Sequence, residues 1–83
     1  MAHFAYVVDG VVQRVEPVAN PVTHDEDGIE YEELGQEHLS RCHGVDPVFF
    51  VQTHYPNGQD PHPRGKYACI GDLWDGTDFV SPQ

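Results

Sequence analysis

His3-Phe4-Ala5-Tyr6-Val7-Val8-Asp9-Gly10-Val11-Val12-Gln13-Arg14-Val15-Glu16 is the stretch from which the fold can be read. Two valine-rich runs flank Asp9-Gly10, the dipeptide best suited to a type I′ turn, whose two central residues both need positive φ. A two-residue turn there sets Val8 opposite Val11, Tyr6 opposite Gln13 and Phe4 opposite Val15. Side chains alternate along a strand. One face then carries Phe4, Tyr6, Val8, Val11, Gln13 and Val15. The other carries His3, Ala5, Val7, Val12, Arg14 and Glu16, a mixed face that could meet solvent or a neighbour.

Outward from this hairpin the pattern changes. Residues 17–28 hold Pro17, Pro21 and the polar run His24-Asp25-Glu26-Asp27-Gly28, which predict an exposed loop. Residues 29–43 read as a short helix, with Tyr31, Leu34, His38, Leu39 and Cys42 recurring mostly at three- and four-residue intervals. Glu30, Glu32 and Glu33 suit its positive end, and Arg41 and His43 its negative end. Glu37 can pair with Arg41, Gly44 suits a left-handed terminator, and Gly35 costs about 1 kcal/mol in the interior.

Residues 48–55 return to strand, and residues 56–65, with three prolines, form a loop. Residues 67–70 suit a further short strand. Leu73-Trp74 and Phe79-Val80 form a second hairpin around Asp75-Gly76-Thr77-Asp78. Trp74 opposite Phe79 is the preferred register because it joins two aromatics on one face. The expected fold is a single small domain over residues 1–83, α+β but mostly β. It comprises a small antiparallel sheet from two hairpins plus a central strand, with one short helix, in the order β-β-α-β-β-β.

Composition narrows the function classes. Fourteen Asp and Glu against four Lys and Arg give a net charge of −10 with His neutral. Such a chain is repelled by nucleic acid phosphates and by anionic membranes. Its surface is either simply solvated or complementary to a basic partner. No apolar run is long enough to span a bilayer, and the first residues do not read as a secretion signal. Cys42 and Cys69 are too few for a disulfide framework or a four-ligand zinc site. They read as small buried hydrophobes, with a single disulfide left open.

Six histidines raise the question of metal. His38 and Cys42 share a helix face at i,i+4, with His43 beside them, but no CxxC or HExxH spacing occurs. Asp25-Glu26-Asp27 lacks the alternating oxygen ligands of a calcium loop. Cys42 and His43 are adjacent on a helix and point about 100° apart, which argues against a nucleophile–base pair. The expectation is no enzyme and no cofactor.

Val51-Gln52-Thr53-His54-Tyr55 and Arg64-Gly65-Lys66-Tyr67-Ala68-Cys69-Ile70-Gly71-Asp72 resemble a family of small virion proteins of tailed bacteriophages. The likeness extends in order over nearly the whole chain. It includes Met1-Ala2-His3-Phe4-Ala5, the Asp9-Gly10 turn, the valine strand with Arg14, and the Glu-rich stretch leading to a helix with Cys42. Cys69, Phe50 and His54 stand where the family has Gly, Trp and Ser, and the proline loop 56–63 is longer.

The resemblance implies a structural protein of the virion, assembled in the cytoplasm of a bacterial host. Its partner would be the major capsid protein or another virion protein, and self-association is open. The leading expectation is a capsid decoration or cement protein that stabilises the head. Alternatives are a tail, neck or fibre-adaptor component and, from another class, a soluble metal-binding module using His38, Cys42 and a third His. Arg64, Lys66 and Tyr67, with Tyr55 and Trp74, are the candidate contact residues. Arg64 and Lys66 are two of the chain's four cations.

Overall fold

A computed structural model describes residues 1–56 and 62–82. It has the expected architecture: a five-stranded antiparallel sheet with one principal helix. Strand β1 (Ala2–Val8) and strand β2 (Val11–Val18) form the first hairpin. Asp9 and Gly10 adopt φ of 52° and 75°, and Val8 pairs with Val11. The turn chemistry therefore acts as the dipeptide dictates. Gly10→Ala is expected to cost about 1–2 kcal/mol, because an L-residue resists left-handed backbone. An added Cβ would meet only ordinary contact with the Trp74 carbonyl at 3.5 Å, so backbone strain alone is at stake. Thermal denaturation of the variant checks this, and an unchanged midpoint refutes it.

The register expected beyond the turn is corrected by a bulge. Val7 pairs with Val12, but Tyr6 pairs with Arg14, so Gln13 is the extra residue. Ala5 then faces Val15, and Phe4 faces Glu16. The shift turns Val15 into the core that contains Ala5, Val7 and Val12. It moves Arg14 and Glu16 to the opposite face, where Arg14 lies over the Tyr6 ring at 4.4 Å.

A short helix α1 (Asn20–Thr23) follows where a loop is predicted, and its Thr23 is buried. β2 itself continues through Pro17. β4 pairs with β2 only at Val11, so near Pro17 one side of β2 is open and the ring is tolerated. Helix α2 (Glu32–His43) ends on Gly44, whose φ of 70° and N–H bond to the Ser40 carbonyl close the last turn. Arg41 makes no ion pair with Glu37.

The next strand begins later than expected. Asp46 caps a 3-10 turn over Pro47–Phe49, and strand β3 is Phe50–His54. Central in the sequence, β3 lies at a sheet edge, antiparallel to β1. Residues 67–70 form no strand; they cross one sheet face, with Ala68 fully buried. Strands β4 (Leu73–Trp74) and β5 (Phe79–Val80) pair with Trp74 opposite Phe79, as the aromatic argument predicts, with ring centroids 4.7 Å apart.

The sheet order β3-β1-β2-β4-β5 separates two cores. Ala2, Phe4, Val18 and Phe50 pack with Leu39 of α2 on one face. Ala5, Val7, Val12 and Val51 pack with Ala68 and Phe79 on the other. Ala5, Val7 and Val12 of the second face of the first hairpin are thus interior. No helix among the described residues is long and apolar enough to cross a membrane.

Candidate functional site

The densest polar constellation surrounds Arg64. Edge strands expose unpaired backbone groups, and on β3 side chains occupy them. Glu32 accepts from the Gln52 N–H at 2.7 Å, and Gln36 donates to the Phe50 carbonyl at 2.6 Å. Arg64 donates to the Gln52 carbonyl at 2.8 Å, to the Tyr55 hydroxyl, and to Glu32 at 2.9 Å. Its guanidinium also lies 5.7 Å from the Trp74 ring centroid. Burial opposes the charge on Arg64, but Glu32 and the Tyr55 oxygen more than offset it and raise its pKa. Burial, then the Glu32 carboxylate, pushes the Tyr55 hydroxyl up.

The backbone beside Arg64 extends this function. The Arg64 carbonyl accepts from Phe79 N–H at 3.0 Å, on β5. The Thr53 hydroxyl of β3 donates to the Lys66 carbonyl at 3.2 Å and accepts from Ala68 N–H at 2.7 Å. Residues 64–68 therefore span from β5 back to β3, joining the two edges of the sheet across its second face. Lys66 is held likewise, at 2.8 Å from both Asp72 and Ser81. That ammonium, with the Cys69 N–H, holds the Asp72 carboxyl below the ordinary carboxylate range.

Of the five sequence-selected contact residues, then, Arg64, Tyr55 and Trp74 converge on one internal clasp, and Lys66 is anchored beside it. Tyr67 alone keeps substantial exposure, at 37%. Its neighbours are a group that sequence reasoning missed. His3 and His54 rings lie 5.4 Å apart, His54 and His62 5.6 Å, and Tyr67 stands 5.5 Å from His3. The signal was the β1–β3 pairing that sets His3 beside His54. No local pattern reveals that pairing.

Burial, then His54, then the Met1 ammonium lower the His3 pKa below 6.5. The unfolded chain therefore takes up this proton first. Its contribution to stability is complete above pH 6.5 and is lost as pH falls from there through the folded value. Urea midpoints measured between pH 7.5 and 5 are expected to decline, and to decline less in His3→Asn. Identical slopes for both proteins would refute the assignment.

The metal candidates do not converge. His38 Nε2 and Cys42 Sγ are 3.6 Å apart, as i,i+4 spacing predicts. His43 turns away, bonding Glu16 at 2.9 Å and stacking on Phe50. Among the described residues no three His, Cys, Asp or Glu side chains are placed to hold an ion. Cys42 and Cys69 are exposed free thiols, contrary to the expectation of buried small hydrophobes. Cys42 is exposed on α2 although the adjacent His43 packs on Phe50, and Cys69 is exposed although the adjacent Ala68 is buried. No cavity opens among the described residues. Comparison with protein-family models, curated proteins and solved structures found no match.

Proposed function

We propose that this chain is a non-enzymatic structural protein of a tailed-bacteriophage particle, a decoration protein that binds the outer capsid surface and stabilises the head. The supporting geometric observation is how charge is distributed. Three of the four cations, Arg14, Arg64 and Lys66, are engaged by Glu16, Glu32 and Asp72 within the domain. Asp9, Glu26, Asp27, Glu33, Glu37 and Asp75 are exposed, and so are large apolar side chains such as Val48 and Ile70. A surface of that kind suits a partner protein with basic and apolar groups. The virion assignment draws on the ordered resemblance over nearly the whole chain.

Quantitative mass spectrometry of purified particles tests the reading. A copy number near that of the major capsid protein, or a simple fraction of it, supports decoration. About six or twelve copies would match a symmetric ring of the tail or neck and replace decoration with that alternative. Absence from particles would overturn both.

A further inference from the structure

Among the described residues, α2 packs through Leu39 on the part of its sheet face that holds Ala2, Phe4, Val18 and Phe50. Direct pairing carries one side-chain row across four strands: Val8 opposite Val11, Val11 opposite Leu73, and Leu73 opposite Val80. Trp74 and Phe79 point to the opposite core, so alternation turns Leu73 and Val80 to the α2 side of the sheet. None of the four belongs to either core cluster. Leu73 and Val80 are 43% and 44% exposed, although they lie on paired strands. Two residues before Val8 on β1, Tyr6 is met edge-on by the Phe49 ring at 6.2 Å.

We propose that this Val8–Val11–Leu73–Val80 row is a docking surface for a protein segment that presents apolar side chains bordered by Lys or Arg. Charge selects that occupant. Asp9 follows Val8 directly, and the Trp74 N–H bonds the Gly10 carbonyl at 2.8 Å, which brings Asp75 to the same end of the sheet. Asp75 closes its own turn onto Thr77 and Asp78 N–H groups, which hold its carboxyl below the ordinary range. Carboxylates thus flank the row on its hairpin-turn side. A second copy docked there would add to a net charge of −10 on each chain. An added strand is disfavoured too, since Glu32, Gln36 and Arg64 occupy the β3 edge and the Arg64 carbonyl occupies Phe79 N–H of β5. The partner therefore packs over the face, continuing the α2 layer.

The surface follows from these contacts whether or not the chain belongs to a virion. The test uses an amphipathic Leu/Lys helical peptide, with its Leu/Glu counterpart as control, titrated into isotope-labelled protein and followed by methyl NMR. The Lys peptide is expected to shift the Val8, Val11, Leu73 and Val80 methyls, and the Glu peptide to bind at least about tenfold more weakly. Leu73→Ser with Val80→Ser is expected to weaken the Lys peptide by about tenfold or more while the domain stays folded. Equal binding of both peptides, shifts centred elsewhere, or unchanged affinity in the double variant would each overturn the proposal. So would concentration-dependent self-association through the same methyls, which would make a second copy the occupant.

Discussion

Arg64→Met is expected to destabilise the domain by about 3 kcal/mol, the scale of losing hydrogen bonds to a charged group while leaving a partner carboxylate uncompensated. Arg64 bonds a backbone carbonyl of β3, the Tyr55 hydroxyl and the Glu32 carboxylate of α2 at once. Methionine would keep much of the packing against Trp74 but none of these bonds. At roughly 4–8 °C per kcal/mol, the thermal midpoint would fall by roughly 12–24 °C. A core of this size supplies about 3–5 kcal/mol in all, so much of the variant would be unfolded at moderate temperature.

Arg64→Lys is expected to recover only a minor part. One ammonium cannot reproduce a planar fork directed at separate acceptors. Arg41→Met is the matched control, because Arg41 is exposed and makes no ion pair among the described residues. It should stay within about 0.5 kcal/mol of the parent. Melting curves of the three variants decide the matter. Equal midpoints for Arg64→Met and Arg41→Met would return Arg64 to the status of a surface contact residue.

That contrast explains what the sequence could express. The two hairpins and the helix end were legible because their causes are local: Asp9-Gly10 and Gly44 occupy left-handed backbone, and Trp74 meets Phe79 across four residues. The bulge at Gln13 was not. Both registers leave an apolar face, and the choice depends on Tyr6 stacking under Arg14 and on Glu16 meeting His43 of a distant helix.

The role of Arg64 was hidden for the same reason. Its partners Glu32 and Gln52 are remote in sequence and become neighbours only when β3 settles beside β1. Charge counting flagged Arg64 as one of few cations, but its placement depends on nonlocal pairing. The His38–Cys42 contact, by contrast, was legible from helix spacing alone. The row Val8–Val11–Leu73–Val80 combines both cases, since each hairpin was readable and only the β2–β4 pairing joins them.

Gly35→Ala provides the second large effect, and its sign is opposite to helix propensity. Alanine in a helix interior is better than glycine by about 1 kcal/mol, so an isolated α2 would gain. In the folded domain Gly35 is buried directly against the Phe4 ring. A Cβ there would lie 2.5 Å from Phe4 Cε1 and closer still to Cζ. Phe4 is fully buried between α2 and the sheet, packed with Ala2, Val18, Leu39 and Phe50. The ring therefore has no free volume to enter, and either it leaves its rotamer or the helix lifts off the sheet. Overpacking of this kind costs typically about 1–3 kcal/mol, sometimes more. The clash involves most of a ring edge, so the upper end applies and the net loss is about 2 kcal/mol. Phe4→Leu shortens the side chain at that contact and should itself destabilise, yet it should relieve the added methyl. The double variant is accordingly expected to be more stable than the sum of the single losses by about 1 kcal/mol or more, a coupling readable in a double-mutant cycle. If Gly35→Ala raises the denaturation midpoint, propensity outweighs packing here and the helix does not sit against Phe4 as described.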